Sequence, residues 1–239
     1  MEIAHRLLIC IPCKDRKAIV ERCVPTVREG MWLDDHLICF DDGSTEYDAE
    51  WLMRRFGCVA LQSKSIGIEA QRKRHFEIFG NQYGEVQWTH LYLTDSDAIH
   101  TPDWREVALR LQQNHGGAPV CLYNTLAHSQ LAGNTIEDNP ANDVIWRRYA
   151  PGISYLLTRE HVAKVMKNID RLTNWDWQVC DWLGNRMAIS RTSYVEHIGQ
   201  GGLHHPSGAG LNGGDVALHP TSWLQQKRRE VVAELEALK

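Results

Sequence analysis

A mostly parallel α/β sheet with helices on both sides, in one domain, is the fold class this sequence predicts, on three observations. Continuous apolar runs alternate with amphipathic stretches four times before residue 115, the pattern of strand and helix in turn. The clearest runs stop at Pro12, at Asp41-Asp42-Gly43 and at Asp95, residues that turn a chain or bind a ligand. The chain has 239 residues, 43% of them hydrophobic and 23% charged, enough for one large core. A single domain over 1–239 is therefore expected, with one half over 1–115 and a second over 116–239.

Leu7-Leu8-Ile9-Cys10-Ile11-Pro12 is apolar without alternation, as a strand buried on both faces must be. A helix follows from Asp15 to Arg28, with Ile19, Val20, Cys23, Val24 and Val27 on one side and Pro25 as a kink or early stop. The second strand, His36 to Phe40, runs into Asp41-Asp42-Gly43-Ser44, which serves equally as a ligand edge or as an Asx turn with a helix cap. Glu46 to Phe56 reads as a helix, Cys58 to Leu61 as a short strand, and Ser65 onward as a turn feeding a helix to about Phe79. Cys10 and Cys13 form a Cys-Xaa-Xaa-Cys, but Cys10 falls inside the strand, so its thiol should be packed rather than reactive.

Leu91 to Ala98 organises the rest. An apolar strand there ends in Asp95-Ser96-Asp97, two carboxylates able to meet one cation, although an isolated Asp-Xaa-Asp can also cap a turn.

Ala118 to Tyr123 and Pro151 to Leu157 read as later strands, Leu131 to Tyr149 as an Asn-rich loop without period, and Thr158-Arg159-Glu160 as a helix start. Gly152 leaves room either for a ligand or for a close backbone approach. Asn174 to Trp182 holds three tryptophans and two acids on a short helix, aromatic faces beside carboxylates. Ser193 to His197 should be a strand delivering His197 into a loop with seven glycines over 199–214, which also carries His204 and His205. Ser222 is expected to cap a terminal helix that packs Val231, Leu235 and Leu238 inward.

Composition narrows the function. A net charge of −4 gives no general pull toward nucleic acid or anionic lipid, although Arg72-Lys73-Arg74, Arg147-Arg148 and Lys227-Arg228-Arg229 could meet phosphates. Seven scattered cysteines suit reduced thiols, no apolar run could span a bilayer, and Met1 to Arg6 lacks the character of a signal peptide. A cytoplasmic protein is the expectation.

Four motifs in order, Ile11 to Arg16, Phe40 to Ser44, Gly67 to Arg72, and Leu93 to Asp97 with Thr101-Pro102-Asp103-Trp104, resemble the nucleotide-sugar half of GT-A (Rossmann-like) glycosyltransferases of the family 2 type. The resemblance implies a nucleotide-sugar-binding half over 1–115 and an acceptor-side half over 116–239, closed by the flexible loop 199–214 and the C-terminal helix. It implies transfer of a sugar from a nucleotide sugar, taken as a UDP-sugar, to an acceptor hydroxyl, with Mn²⁺ or Mg²⁺. The backbone near Pro12 and Cys13 would line the base pocket, Asp42 would contact the uracil with Asp41 in the same cofactor-binding turn, and Arg72 would lie near the diphosphate. Asp95 would contact ribose or metal-bound water, with Ser96 beside it, and Asp97 and His197 would bind metal. The tryptophan-rich segment resembles the base-bearing element of inverting members, which carries that role to Asp176, with Asp181 as the alternative. The family commonly has Thr at Cys13 and Asn at Lys73. The other readings are a nucleotidyltransferase, disfavoured by the lack of an early glycine-rich phosphate loop, and a carbohydrate-binding module using the tryptophans. The acceptor is left open among a glycan, a small molecule, a protein and a hydroxymethylated base in nucleic acid.

Overall fold

The computed structural model describes residues 5–81, 87–199 and 216–238. The loop 199–214 lies, Gly199 apart, outside the described residues, as do His204 and His205. Strand β1 (Leu7–Cys13) leads to α1 (Lys17–Glu29), β2 (His36–Asp41), α2 (Ala49–Phe56), β3 (Val59–Gln62), α3 (Ile68–Gly80) and β4 (His90–Leu93). Then come β5 (Ala98–His100), α4 (Trp104–Asn114), β6 (Val120–Cys121), α5 (Leu126–Gln130), β7 (Thr135–Glu137), β8 (Val144–Arg147) and β9 (Tyr155–Thr158). The chain closes with α6 (Arg159–Met166), α7 (Trp175–Trp182), β10 (Met187–Ser190), β11 (Val195–His197) and α8 (Ser222–Glu236).

The main sheet runs β3-β2-β1-β4-β9-β6-β10-β8-β7, and β5 pairs with β11 in a separate ribbon. The pairings reverse direction only at β9 and β8, so the sheet is mostly parallel, as the buried apolar runs required. Tyr92 aligns through Ile9 with Leu37, whereas Phe40 is of opposite parity on β2 and projects to the other face. Tyr92 stacks on Trp104 of α4, whose indole Nε1 donates to Val27 O of α1 at 3.0 Å. Phe40 instead meets His75 of α3, and α3 packs on α6. Helices therefore cover both faces of the central strands, which are buried, while the edge strands β3 and β7 are largely exposed.

The connections set the site. From β1 the chain moves outward to β2 and β3, then returns across β1 to β4 on its other side. The carboxyl ends of β1 and β4 thus form a switch point where two loops diverge and leave a crevice.

Several expectations need correction. Pro25 neither stops nor starts α1, which continues through it to Glu29. The stretch 131–149 contains the antiparallel pair β7 and β8, short strands whose apolar residues were too few to show a period. Both β5 and β10 escaped the sequence reading because three or four buried residues cannot display one. Thr221, not Ser222, caps α8, its hydroxyl accepting from Leu224 N at 3.1 Å, and Leu238 is exposed.

A second small core explains why α8 is there. Ile19 and Cys23 of α1, Ile99 of β5, Ile198, and Leu224, Val231 and Leu235 of α8 pack together. This cluster ties the start of α1 and the β5–β11 ribbon into one unit, and Arg22 adds an ion pair to Glu234 at 2.8 Å.

Candidate active site

Along the carboxyl edge of the sheet, the order β2-β1-β4-β9 puts Asp42, Arg16, Asp95 and Asp97, and Gly152 to Ser154 side by side. Asp95 and Asp97 leave the end of β4 in a turn that closes with Ala98 N donating to Asp95 O at 3.3 Å. His197 arrives a hundred residues later because β11 pairs with β5 and sets His197 opposite Ala98. Ile198 N then donates to Asp97 O at 2.9 Å.

One oxygen from each carboxylate and one ring nitrogen of His197 lie within 4.8 Å of one another, so Asp95, Asp97 and His197 could hold one ion. Two carboxylates with an imidazole suit Mn²⁺ or Mg²⁺, and Mn²⁺ accepts the nitrogen better. Gly199, with φ +44°, lets the backbone pass over the imidazole: a Cβ there would sit 2.7 Å from His197 Cε1. Asp97 is buried, with Arg16 Nη1 at 2.7 Å and His197 Nε2 at 3.1 Å from the same Oδ2. Burial disfavours the charged carboxylate, but these two neighbours outweigh it and hold Asp97 well below the usual range. Asp95 moves the other way, raised by burial against the pull of Arg72. Of these contacts Arg16 was not anticipated. A cation on the loop after β1, at the same edge as the two acids, was the available signal.

Arg72 is fully buried rather than open to a diphosphate. Its Nη2 donates to Asp95 and, at 3.2 Å, to Thr94 O, while its guanidinium lies 4.5 Å from the centre of the Trp175 ring. Trp175 opens α7 and packs against Gly152 so closely that a Cβ there would meet its Cζ2 at 2.5 Å. Gly152 therefore admits the indole and is not space for a ligand. Next on α7, the half-buried Asp176 accepts from Trp177 N at 3.0 Å, and desolvation raises its pKa although Arg72 opposes the rise. Asp181 is exposed on another side of the helix, where Tyr149 OH donates to it at 3.1 Å beside Trp177. The two acids are thus separated, and only Asp176 lies toward Arg72 and Asp95.

The donor-side turn is tightly built. Asp42 Oδ1 accepts from Ile66 N at 2.7 Å and Gln71 Nε2 at 3.1 Å, and its Oδ2 accepts from Gly67 N at 3.0 Å. Burial alone would raise its pKa, but these bonds together outweigh it and the pKa is lowered. Asp42 consequently shapes the loop into α3. Asp41 is buried and accepts from Ser44 N at 2.8 Å, the Asx turn foreseen as one of two uses. Cys13 ends β1 and is buried, so its backbone rather than its thiol can face a ligand, whereas Pro12 is partly exposed. Ser96 is buried between the two acids. Cys10 is buried too, and desolvation raises its pKa strongly, in keeping with an inert thiol.

A model of glycosyl transferase family 2 matches residues 8–128, slightly more than half of the chain. The chain belongs to glycosyl transferase family 2. No curated protein sequence matches it. Among solved structures it is similar to S. aureus TarS 1–349, with 12% identity and a TM-score of 0.55 over 80% of this chain and 59% of that one. It is also similar to S. aureus TarS 1–349 in complex with UDP-GlcNAc, with 13% identity and a TM-score of 0.60 over 96% of this chain and 66% of that one. The complex with UDP aligns at 11% identity and a TM-score of 0.56 over 80% of this chain and 59% of that one. This family 2 chain spans about three-fifths of the first of these structures. It has the GT-A architecture that its motifs resembled. Among the described residues no helix is long and apolar enough to cross a membrane.

Proposed function

We propose that this chain transfers a sugar from a UDP-sugar to an acceptor hydroxyl with inversion at the anomeric carbon. The observation that carries the reading is the convergence of Asp95, Asp97 and His197 with Arg72, Trp175 and Asp176 at one switch point, where donor-side and acceptor-side elements meet. The UDP and UDP-GlcNAc in the TarS structures support the choice of nucleotide.

Asp95, Asp97 and His197 would hold Mn²⁺ or Mg²⁺, whose charge offsets that of the departing diphosphate. Asp176 takes the proton of the acceptor hydroxyl as its oxygen forms the bond to the anomeric carbon. The bond from that carbon to the diphosphate breaks in the same step, and its electron pair leaves with the UDP. A carboxylate raised by burial suits this task, since a stronger base gains more from the proton. Arg72 positions both sides, pinning Asp95 while stacking on Trp175, the residue before Asp176. Asp42 acts on the base by shaping the 63–67 turn, and Pro12 and Cys13 by their backbone. The soluble interior of a cell is the setting that fits reduced cysteines, and the acceptor is a glycan, small molecule, protein or modified base.

Incubation with a panel of nucleotide sugars, scored for slow hydrolysis, tests the donor without knowledge of the acceptor. UDP release that depends on Mn²⁺ or Mg²⁺ is the expected result. Pyrophosphate release would replace the reading with nucleotidyl transfer, and a retained anomer in the product would refute the inverting mechanism.

A further inference from the structure

Asp97 Oδ2 lies in contact with two nitrogens, Arg16 Nη1 at 2.7 Å and His197 Nε2 at 3.1 Å. They differ in what they can become. An imidazole can lose its proton and serve as a ligand, whereas a guanidinium has only donors and keeps its charge. A cation entering the Asp95, Asp97 and His197 cluster can therefore keep His197 as a ligand, but it competes with Arg16 for the same carboxylate and repels its like charge.

The chain around Arg16 is built to hold its backbone while leaving the arm free. Asp15 and Arg16 are consecutive non-glycine residues in the left-handed region, at φ 48° and 54°, a conformation that persists only when its surroundings impose it. The loop after β2 imposes it. Asp15 Oδ1 accepts from Thr45 N at 2.6 Å and Thr45 Oγ1 at 3.1 Å, Ser44 Oγ accepts from Asp15 N at 2.9 Å, and Glu46 Oε2 accepts from Lys17 N at 2.7 Å. The next residues anchor α1 through Ile19 and Cys23 in the core shared with the β5–β11 ribbon. The pivot is thus fixed relative to both the Asp-Asp-Gly-Ser turn and the His197 strand. The Arg16 side chain keeps 28% of its surface in solvent, unlike Arg72 at 0%, so its guanidinium can swing without opening the core. It lies at the crevice between the ends of β1 and β4.

We propose that Arg16 is an exchangeable counter-cation: it holds the Asp97 carboxylate in the empty enzyme and, when metal and nucleotide enter together, moves from Asp97 to the donor's diphosphate oxygens. The inference rests on the donor-site reading above. Arg16 then does two things. It holds Asp97 in place without metal, and it makes metal and nucleotide depend on each other, since the arm released by one is taken up by the other. A guanidinium is suited to both partners, carboxylate and phosphate alike.

The test is Mn²⁺ binding followed by the EPR signal of the free ion, with and without UDP, in the wild type, Arg16→Ala, Arg16→Gln and Asp97→Asn. Removing the competing cation should tighten Mn²⁺ binding without UDP by about tenfold, the worth of one charge-assisted bond, and should weaken UDP binding at saturating Mn²⁺ by a similar factor. An ion pair that merely supports the fold predicts the opposite sign, because loss of Arg16 would loosen Asp97. Unchanged or weaker Mn²⁺ binding without UDP in folded Arg16→Gln, while Asp97→Asn loses the metal, overturns the role of Arg16 alone. Mn²⁺ binding that Asp97→Asn leaves intact overturns the donor-site reading and this inference with it. Arg16→Gln keeps a polar but uncharged side chain where Arg16→Ala fails to fold, and unfolding of both would assign the pair to stability and end the proposal.

Discussion

At the scale of single residues, charge neutralisation decides what each carboxylate can do. Asp97→Asn should abolish metal-dependent UDP binding, read by calorimetry with and without Mn²⁺. It should also cost stability, about 1–3 kcal/mol in urea denaturation, because Asp97 is buried and leaves Arg16 and His197 facing a neutral amide. Asp176→Asn keeps the size of the side chain but removes its basicity, so kcat should fall by roughly 10² to 10⁴ while UDP binding holds. Asp181→Asn should lose only the bond from Tyr149 and stay within a few-fold of wild type; a reversed pair of results moves the base to Asp181. A base must be ionised to act, so activity should be lost as pH falls through the Asp176 pKa. Burial has moved that pKa upward, and the acid limb of the kcat profile should therefore lie above the ordinary carboxylate range and be absent in Asp176→Asn. The acids were readable from their place at a strand's end. Arg16 was not assigned, because its partner lies 81 residues away and its place on the loop after β1 was the only signal.

Among the elements, α7 and α8 carry the most consequence for their length. The indole of Trp175 needs the bare backbone of Gly152, and the clash of an added Cβ at 2.5 Å must push α7 outward. Gly152→Ala is thus expected to destabilise by about 1–3 kcal/mol. It should also lower kcat more than it weakens UDP binding, since the displaced helix bears Asp176 and not the metal cluster. Equal losses in both would mean that α7 supports the whole cleft. Helix α8 acts on the other ligand set by bracing the ribbon that delivers His197. Leu224 is fully buried in that small core, and Leu224→Ala should cost about 2–5 kcal/mol and weaken Mn²⁺ binding in the presence of UDP. Unaltered metal affinity in the folded variant would separate the brace from the site.

Over the whole molecule, buried histidines set the acid limit of stability. Desolvation lowers His90 and His161 to about 4 and His100 to about 3. Below a pH of about 6.5 the unfolded chain gains protons at these positions that the folded chain refuses, so stability must decline from there down to about pH 4. The stabilisation of Asp97 is lost only at lower pH, because its folded pKa is depressed. The urea midpoint should accordingly be lower at pH 5 than at pH 7.5, and an unchanged midpoint would show that these histidines titrate freely. The parallel sheet, both carboxylate pairs and the strand carrying His197 were legible in the sequence, because strands buried on two faces cannot avoid continuous apolar runs and a ligand edge cannot avoid polar ends. The short strands β5, β7, β8 and β10 were not, since three or four residues show no period. Only the tertiary structure decided that His197 meets Asp97, that Arg16 lies between the ends of β1 and β4, and that Arg72 is buried under Trp175. Each depends on which strands are neighbours and which way a side chain turns, and strand order is set by packing between segments far apart in the chain rather than by any local pattern.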